Sequence, residues 1–176
     1  MVSKLAFLLS AAFLDQAPRA ITGALGVQLG AVASDAELER LGFTGRPGQL
    51  LWLKEQQDGH FQVMRIGRTP SGHVVSIVLE RHWDSASGFA DCQMEQAGLA
   101  DLAAAAWPSL AREQSGPVDI RFVTLREPMA AREARSLSLT CSHIPGRVLP
   151  TLRVVWRVSP AERASLYAGA SDPGTE

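Results

Sequence analysis

Of the 17 basic residues in this 176-residue chain only Lys4 and Lys54 are lysines, tyrosine occurs once, and there are two cysteines. No apolar run approaches the roughly 20 residues that a bilayer-spanning helix needs, which excludes a polytopic membrane protein. Neither sign of charge dominates: 17 basic against 18 acidic residues leave a formal net charge of -1. Global charge therefore gives no argument for nucleic acid or for an acidic membrane surface. Two cysteines allow one intramolecular bridge and exclude a disulfide-dense scaffold. The chain has no GxSxG nucleophile turn, no HExxH and no CxxC. The glycine-flanked segment Gly67–Gly72 lacks the Gly-Lys-Ser/Thr ending of a phosphate loop. No catalytic residue, metal site or cofactor follows from these patterns.

What is present fits one ordinary domain. Hydrophobic residues make up 46% and charged residues 20% of the chain, enough for a core and too mixed for disorder or a coiled coil. Arginine supplies almost all the basic charge and alanine is abundant, the codon signature of a GC-rich bacterial genome. Met1 to Lys4 carries one positive charge, Leu5 to Leu14 is uncharged and apolar, and Asp15 to Ala20 is polar with small residues. That order predicts a signal peptide over 1–20 and a periplasmic or secreted protein. Ala17 and Ala20 each offer a small residue before a cut, with Asp15 and Pro18 at the third position before it. The alternative is an N-terminal helix of a cytoplasmic domain. Residues 21–167 are expected to form the single domain, and 168–176 (small and polar) a flexible tail.

Cys92 and Cys141 fall on inward-facing positions. Phe89, Cys92, Gln96, Leu99, Ala103, Ala106 and Leu110 recur at three- and four-residue steps, one face of a helix. Leu137, Leu139 and Cys141 alternate with Ser136, Ser138, Thr140 and Ser142, a strand with one apolar face. A disulfide there would staple helix to sheet and contribute about 3–4 kcal/mol by loop closure. The alternatives are two buried thiols, or chemistry from Cys141 with His143 two positions on.

Along the chain, Ile21 to Gly30 reads as a short strand or extended lead-in. Ser34 and Glu37 form a capping box that opens a short helix to Leu41, with Gly42 beyond it. Strands are expected over 50–56, 60–67 and 73–81, with a hairpin at Asp58-Gly59 and a turn at Thr69–Gly72. A long helix is expected over 88–114, kinking or ending near Ala106 before Pro108 and then resuming for a turn. A second strand set spans 118–125, 135–142 and 151–159, with a helical turn around Glu127–Arg132 and a turn at Pro145-Gly146. Ser159, Pro160 and Glu162 are the N-cap, N1 and N3 of a last short helix through about Tyr167. Strands that meander rather than alternate with helices predict an α+β fold: an antiparallel sheet of about six strands in two meanders, with one long helix packed on a face.

The segment Gly26 to Phe43, GVQLGAVASDAELERLGF, resembles the start of small exported bacterial proteins in which a glycine-flanked strand and a capped helix precede a curved antiparallel sheet. The same plan is similar to the SmpA and beta-lactamase-inhibitor-like domains. The resemblance covers about a tenth of the chain and implies a protein that binds other proteins or serves envelope assembly. The lipid-anchor cysteine of the SmpA lipoproteins is absent here, and no catalytic residues come with the resemblance.

Two further groups of side chains bear on function. Glu80, His82 and Asp84 share one face if their strand continues, which would suit a small acid–base or metal-dependent hydrolase; a solvated strand end is the plainer reading. The other histidines, His60, His73 and His143, have no metal-ligand spacing. Charge is unevenly spread: residues 21–116 hold 7 basic and 11 acidic side chains, whereas 117–163 hold 8 arginines against three glutamates and one aspartate. Arg121, Arg153 and Arg157 are expected on outward strand faces, with Arg135 beside them, as an arginine stripe for an anionic ligand or acidic partner. The reading with most support is a non-enzymatic exported module that binds a protein or an anionic envelope component through its exposed sheet face. Trp52, Trp83, Trp107 and Trp156 are expected in or bordering the core.

Overall fold

A computed structural model describes residues 21–56, 60–85, 88–117, 119–144 and 148–169. The expected leader over 1–20, the turns at Asp58-Gly59 and Pro145-Gly146, and the tail beyond 169 lie outside the described residues. The fold is α+β. Two short strands, β1 (Gly23–Ala24) and β2 (Val27–Gln28), pair as a ribbon. Its turn places Leu25 at φ 59° and Gly26 at φ 76°, a conformation glycine adopts without penalty. Helix α1 (Asp35–Arg40) starts where the Ser34 side chain accepts from the Glu37 amide, and Gly42 beyond its end has φ 83°.

Seven antiparallel strands form the main sheet: β3 (Leu51–Glu55), β4 (Val63–Arg68), β5 (Val74–His82), β6 (Ala111–Ser115), β7 (Ile120–Arg126), β8 (Ser136–Ile144) and β9 (Val148–Arg157). Their order is β3-β4-β5-β9-β8-β7-β6, so the two expected meanders join edge to edge through β5 and β9. The count exceeds expectation by β6. Helix α2 (Gly88–Ala106) stops at Ala106, because Pro108 cannot continue the ladder. The chain does not resume the helix; Ala111–Ser115 pairs with Phe122–Arg126 instead. Every residue of β6 is exposed, and its polar sequence suits an edge strand that must not recruit another chain. Of the three helices among the described residues only α2 is long; α3 (Pro160–Ala168) carries the expected cap, with Ser159 accepting from the Glu162 amide and Pro160 in the first turn. None of the described helices is long and apolar enough to cross a membrane.

One hydrophobic cluster runs through the covered side of the sheet. It includes Ile66, Ile77, Leu79, Trp52 and Trp156 from the strands, Leu99, Ala100 and Ala103 from α2, and Leu29, Leu38 and Phe43 from the N-terminal layer. Alanines on the buried face of α2 let that helix lie close on β7, β8 and β9. Gln96 is buried among them, and its amide donates to the carbonyls of Arg121 and Leu139, each at 2.8 Å.

Arg68 anchors α1 to the sheet. It is buried, and it donates to Ala33 O at 2.6 Å, Gln49 O at 3.1 Å and Asp35 Oδ1 at 2.6 Å. The hydrogen bond from Arg68 holds the Asp35 carboxyl below its ordinary value. Partial burial opposes this, while the Gly48 amide and the guanidinium charge add to it. A depressed folded-state pKa contributes stability above the unfolded value of 3.8 that is lost as pH falls through the folded value. Asp35→Asn should therefore flatten the stability–pH profile in that acid range, as read from urea midpoints measured between pH 5 and pH 2. An unchanged profile would show that Asp35 is not one of the groups whose protonation loosens the fold.

Candidate functional site on the open sheet face

The face of the sheet opposite α2 follows from register. Directly opposed residues share a face, so Glu80, Arg153, Thr140 and Phe122 form one row. Val78, Val155, Ser138 and Thr124 form the next, and Ser76, Arg157, Ser136 and Arg126 the one after. Beyond the first row lie His82, Thr151 and Ser142. The alternation of small hydroxyl residues in β8 keeps this surface shallow and polar. A cleft of about 520 Å³ opens over it, lined by Thr124, Ser138, Thr140, Ser142 and Thr151 together with Glu80, His82 and the two arginines of β9. Phe122, 39% exposed, supplies an aromatic edge.

The charges on this face are not equivalent. Glu80 is buried, and its Oε1 accepts from Arg65 at 2.7 Å and lies 3.2 Å from Arg153 Nε. Arg153 is thus engaged by a carboxylate that it shares with Arg65. Arg157 has no acidic partner among the described residues and is exposed. It also lines a second cleft of about 770 Å³ with Arg126, Ser136, Arg163 and Tyr167. Arg126 is only loosely paired, 3.7 Å from Glu113, and Arg163 lies over the Tyr167 ring with 5.6 Å to its centroid. The two clefts meet at Arg157, which lines both, and positive charge accumulates there.

Two members of the expected arginine stripe are elsewhere. Arg121 pairs in register with Cys141 and so lies on the covered face, at the strand end where a long side chain reaches solvent. Arg135 precedes β8 and is drawn away by Glu162, to which its Nε donates at 2.9 Å. Of the Glu80-His82-Asp84 trio, Glu80 and His82 share the open face and line its cleft, and Asp84 does not continue the strand. Strand β5 ends at His82 and Asp84 lies in the bend beyond, while His82 Nδ1 faces Thr151 Oγ1 at 3.1 Å. His60 turns to Glu95 of α2, at 2.6 Å, and His73 to Ser71. His143 lies 5.6 Å between ring centroids from Phe89. Among the described residues no three His, Cys, Asp or Glu side chains converge as metal ligands.

Cys92 and Cys141 meet across the helix–sheet interface in disulfide register, with Cα atoms 5.9 Å apart and both side chains fully buried. Trp52, Trp107 and Trp156 are buried and Trp83 borders the core. The arginines and tyrosine of the second cleft, Arg126, Arg163 and Tyr167, were not separable in sequence from a solvated surface. The alternation Ser136, Ser138, Thr140, Ser142 was the available signal for the hydroxyl floor. Comparison with protein families, curated proteins and solved structures gives no match to this chain.

Proposed function

We propose that this chain is an exported, non-enzymatic binding module, periplasmic or secreted, whose open sheet face holds a carboxylate- or phosphate-bearing component of the cell envelope. The observation that carries the reading is Arg157. It stands without an acidic partner among the described residues, where two clefts meet, flanked by Arg126 and Arg163 and by a floor of hydroxyl groups. An arginine fork with neighbouring hydroxyl donors suits a planar carboxylate or a phosphate. Export is supported by the basic start and the apolar segment Leu5 to Leu14, and by a buried cysteine pair suited to an oxidising compartment. The resemblance of Gly26–Phe43 to the start of small exported bacterial proteins points the same way.

The test is calorimetric titration with citrate and, separately, inorganic phosphate at low salt. Saturable binding of either is expected. Arg157→Glu should weaken it by about tenfold or more, the loss of one charge-assisted contact. Arg153→Ala should change it by less than about threefold, because Glu80 already occupies that guanidinium. Equal losses from the two substitutions, or no saturable binding, would sink the assignment of this face.

A further inference from the structure

We propose that the bond between Ala20 and Ile21 is the processing site of the exported chain, and that the α-ammonium group released at Ile21 pairs with the buried carboxylate of Glu127. The export reading above underlies this proposal; the ligand of the open face does not enter it.

Ile21 is held by every group it has. Its side chain is 1% exposed and belongs to the core. Its carbonyl accepts from Arg135 Nη1 at 3.1 Å, and its nitrogen donates to Glu127 Oε1 at 3.0 Å across 106 residues of sequence. Glu127 is only 7% exposed. Its other oxygen, Oε2, accepts from the backbone amide of Arg135 at 3.1 Å. Both donors are neutral backbone groups while the Ile21 nitrogen remains an amide. The nearest guanidinium in this cluster, that of Arg135, is committed to Glu162 and to the Ile21 carbonyl. Among the described residues no side-chain cation forms an ion pair with Glu127. A buried carboxylate without a cation is costly, and a cation at hydrogen-bond distance relieves that cost.

Hydrolysis supplies that cation. A leader-removing endopeptidase and one water break the Ala20–Ile21 C–N bond, leaving a carboxylate on Ala20 and an ammonium on Ile21. The new charge arises on the atom already 3.0 Å from Glu127 Oε1. A cut after Ala17, the other position with a small residue before it, would leave Pro18-Arg19-Ala20 in front and the ammonium three residues away. Processing would then join the N-terminal ribbon, the β7–β8 connection and α3 through one ionic cluster of Ile21, Glu127, Arg135 and Glu162. Gly30 packs against that cluster, since a Cβ on it would lie 2.5 Å from Glu162 Oε1.

The experiment is to express the full 176-residue chain in a bacterium, recover it from the periplasmic fraction and sequence its N-terminus. A start at Ile21 is expected. An exported product starting elsewhere overturns this proposal alone, and an uncleaved cytoplasmic product overturns the export reading as well. The ion pair is read by comparing Glu127→Gln with the parent in two backgrounds, processed and leader-retaining, both with the cysteine pair oxidised. The substitution should lower Tm by about 5–10 °C more in the processed protein; equal drops would overturn the pairing. Should Glu127→Gln fail to fold, the parent answers instead. Its Ile21 amine should react with an acylating reagent about tenfold or more slowly when folded than in urea, and equal rates would overturn the pairing.

Discussion

Reduction of the Cys92–Cys141 pair is expected to lower the thermal unfolding midpoint by about 8–16 °C, from roughly 4 kcal/mol of loop-closure entropy in a domain of this size. The two residues are 49 positions apart, so the bridge closes a large loop containing most of α2, all of β6 and β7, and part of β8. It also fixes α2 to the strand that carries the hydroxyl floor of the open face. Cys141 belongs to β8 between Thr140 and Ser142, whose side chains line the cleft on the other side. Loosening the bridge therefore acts on the site through the sheet itself. Calorimetry with and without reductant, and on Cys141→Ala, gives the shift. A difference under about 3 °C, with thiol titration showing an oxidised starting sample, would mean that the bridge adds little beyond the packing of α2.

Replacing Arg68 by methionine should cost about 1–3 kcal/mol, the penalty of the buried Ala33 carbonyl left without its donor. The methionine restores much of the arginine stem's volume, so packing loss is small. The deficit arises at Ala33 O, which the guanidinium now satisfies at 2.6 Å; Gln49 O loses one donor at 3.1 Å but keeps the Trp52 Nε1 donor at 3.2 Å. The same guanidinium lies over Trp52, with 5.2 Å to the ring centroid, so the substitution also removes a cation–π contact from a fully buried indole. Arg68→Lys should fall between the parent and the methionine variant, because one ammonium cannot reach all the acceptors of a fork. Urea unfolding gives these differences directly. A loss below about 1 kcal/mol for Arg68→Met would show that water replaces the guanidinium at the Ala33 carbonyl.

Local chemistry made some features legible in the sequence. The capping pairs Ser34/Glu37 and Ser159/Glu162 depend on residues three apart, and both helices begin where those pairs lie. The inward positions of Cys92 and Cys141 depend on helical and strand periods alone, and the two periods meet in space. Edge strand β6 was hidden for the opposite reason. Ala-Arg-Glu-Gln-Ser is solvated on both faces, so no apolar alternation marks it, and helix-forming residues there read as a continuation of α2. Arg121 has the parity of Val123 and Leu125, which are buried against the helix. Its position at the strand end frees its charge, so the expectation of an outward stripe was wrong in parity there. Arg135 illustrates the limit most plainly, because Glu162 and Ile21 reach it from opposite ends of the chain. Within the candidate site, Arg153 and Arg157 look alike in sequence, two turns of alternation on one strand. Only the register beside Glu80 separates an arginine engaged by a carboxylate from one without an acidic partner among the described residues.

Chemical-shift mapping of the oxidised protein during titration with citrate, at low salt, reads anion binding on the open sheet face residue by residue. Saturable perturbation is expected at the amides of Ser136, Ser138, Thr140 and Arg157, with α2 and β6 unaffected, and it should disappear in Arg157→Glu. Saturable shifts confined to α2 or to the N-terminal layer, or none at all with citrate and with inorganic phosphate, would contradict the assignment of the open sheet face as an anion-binding surface.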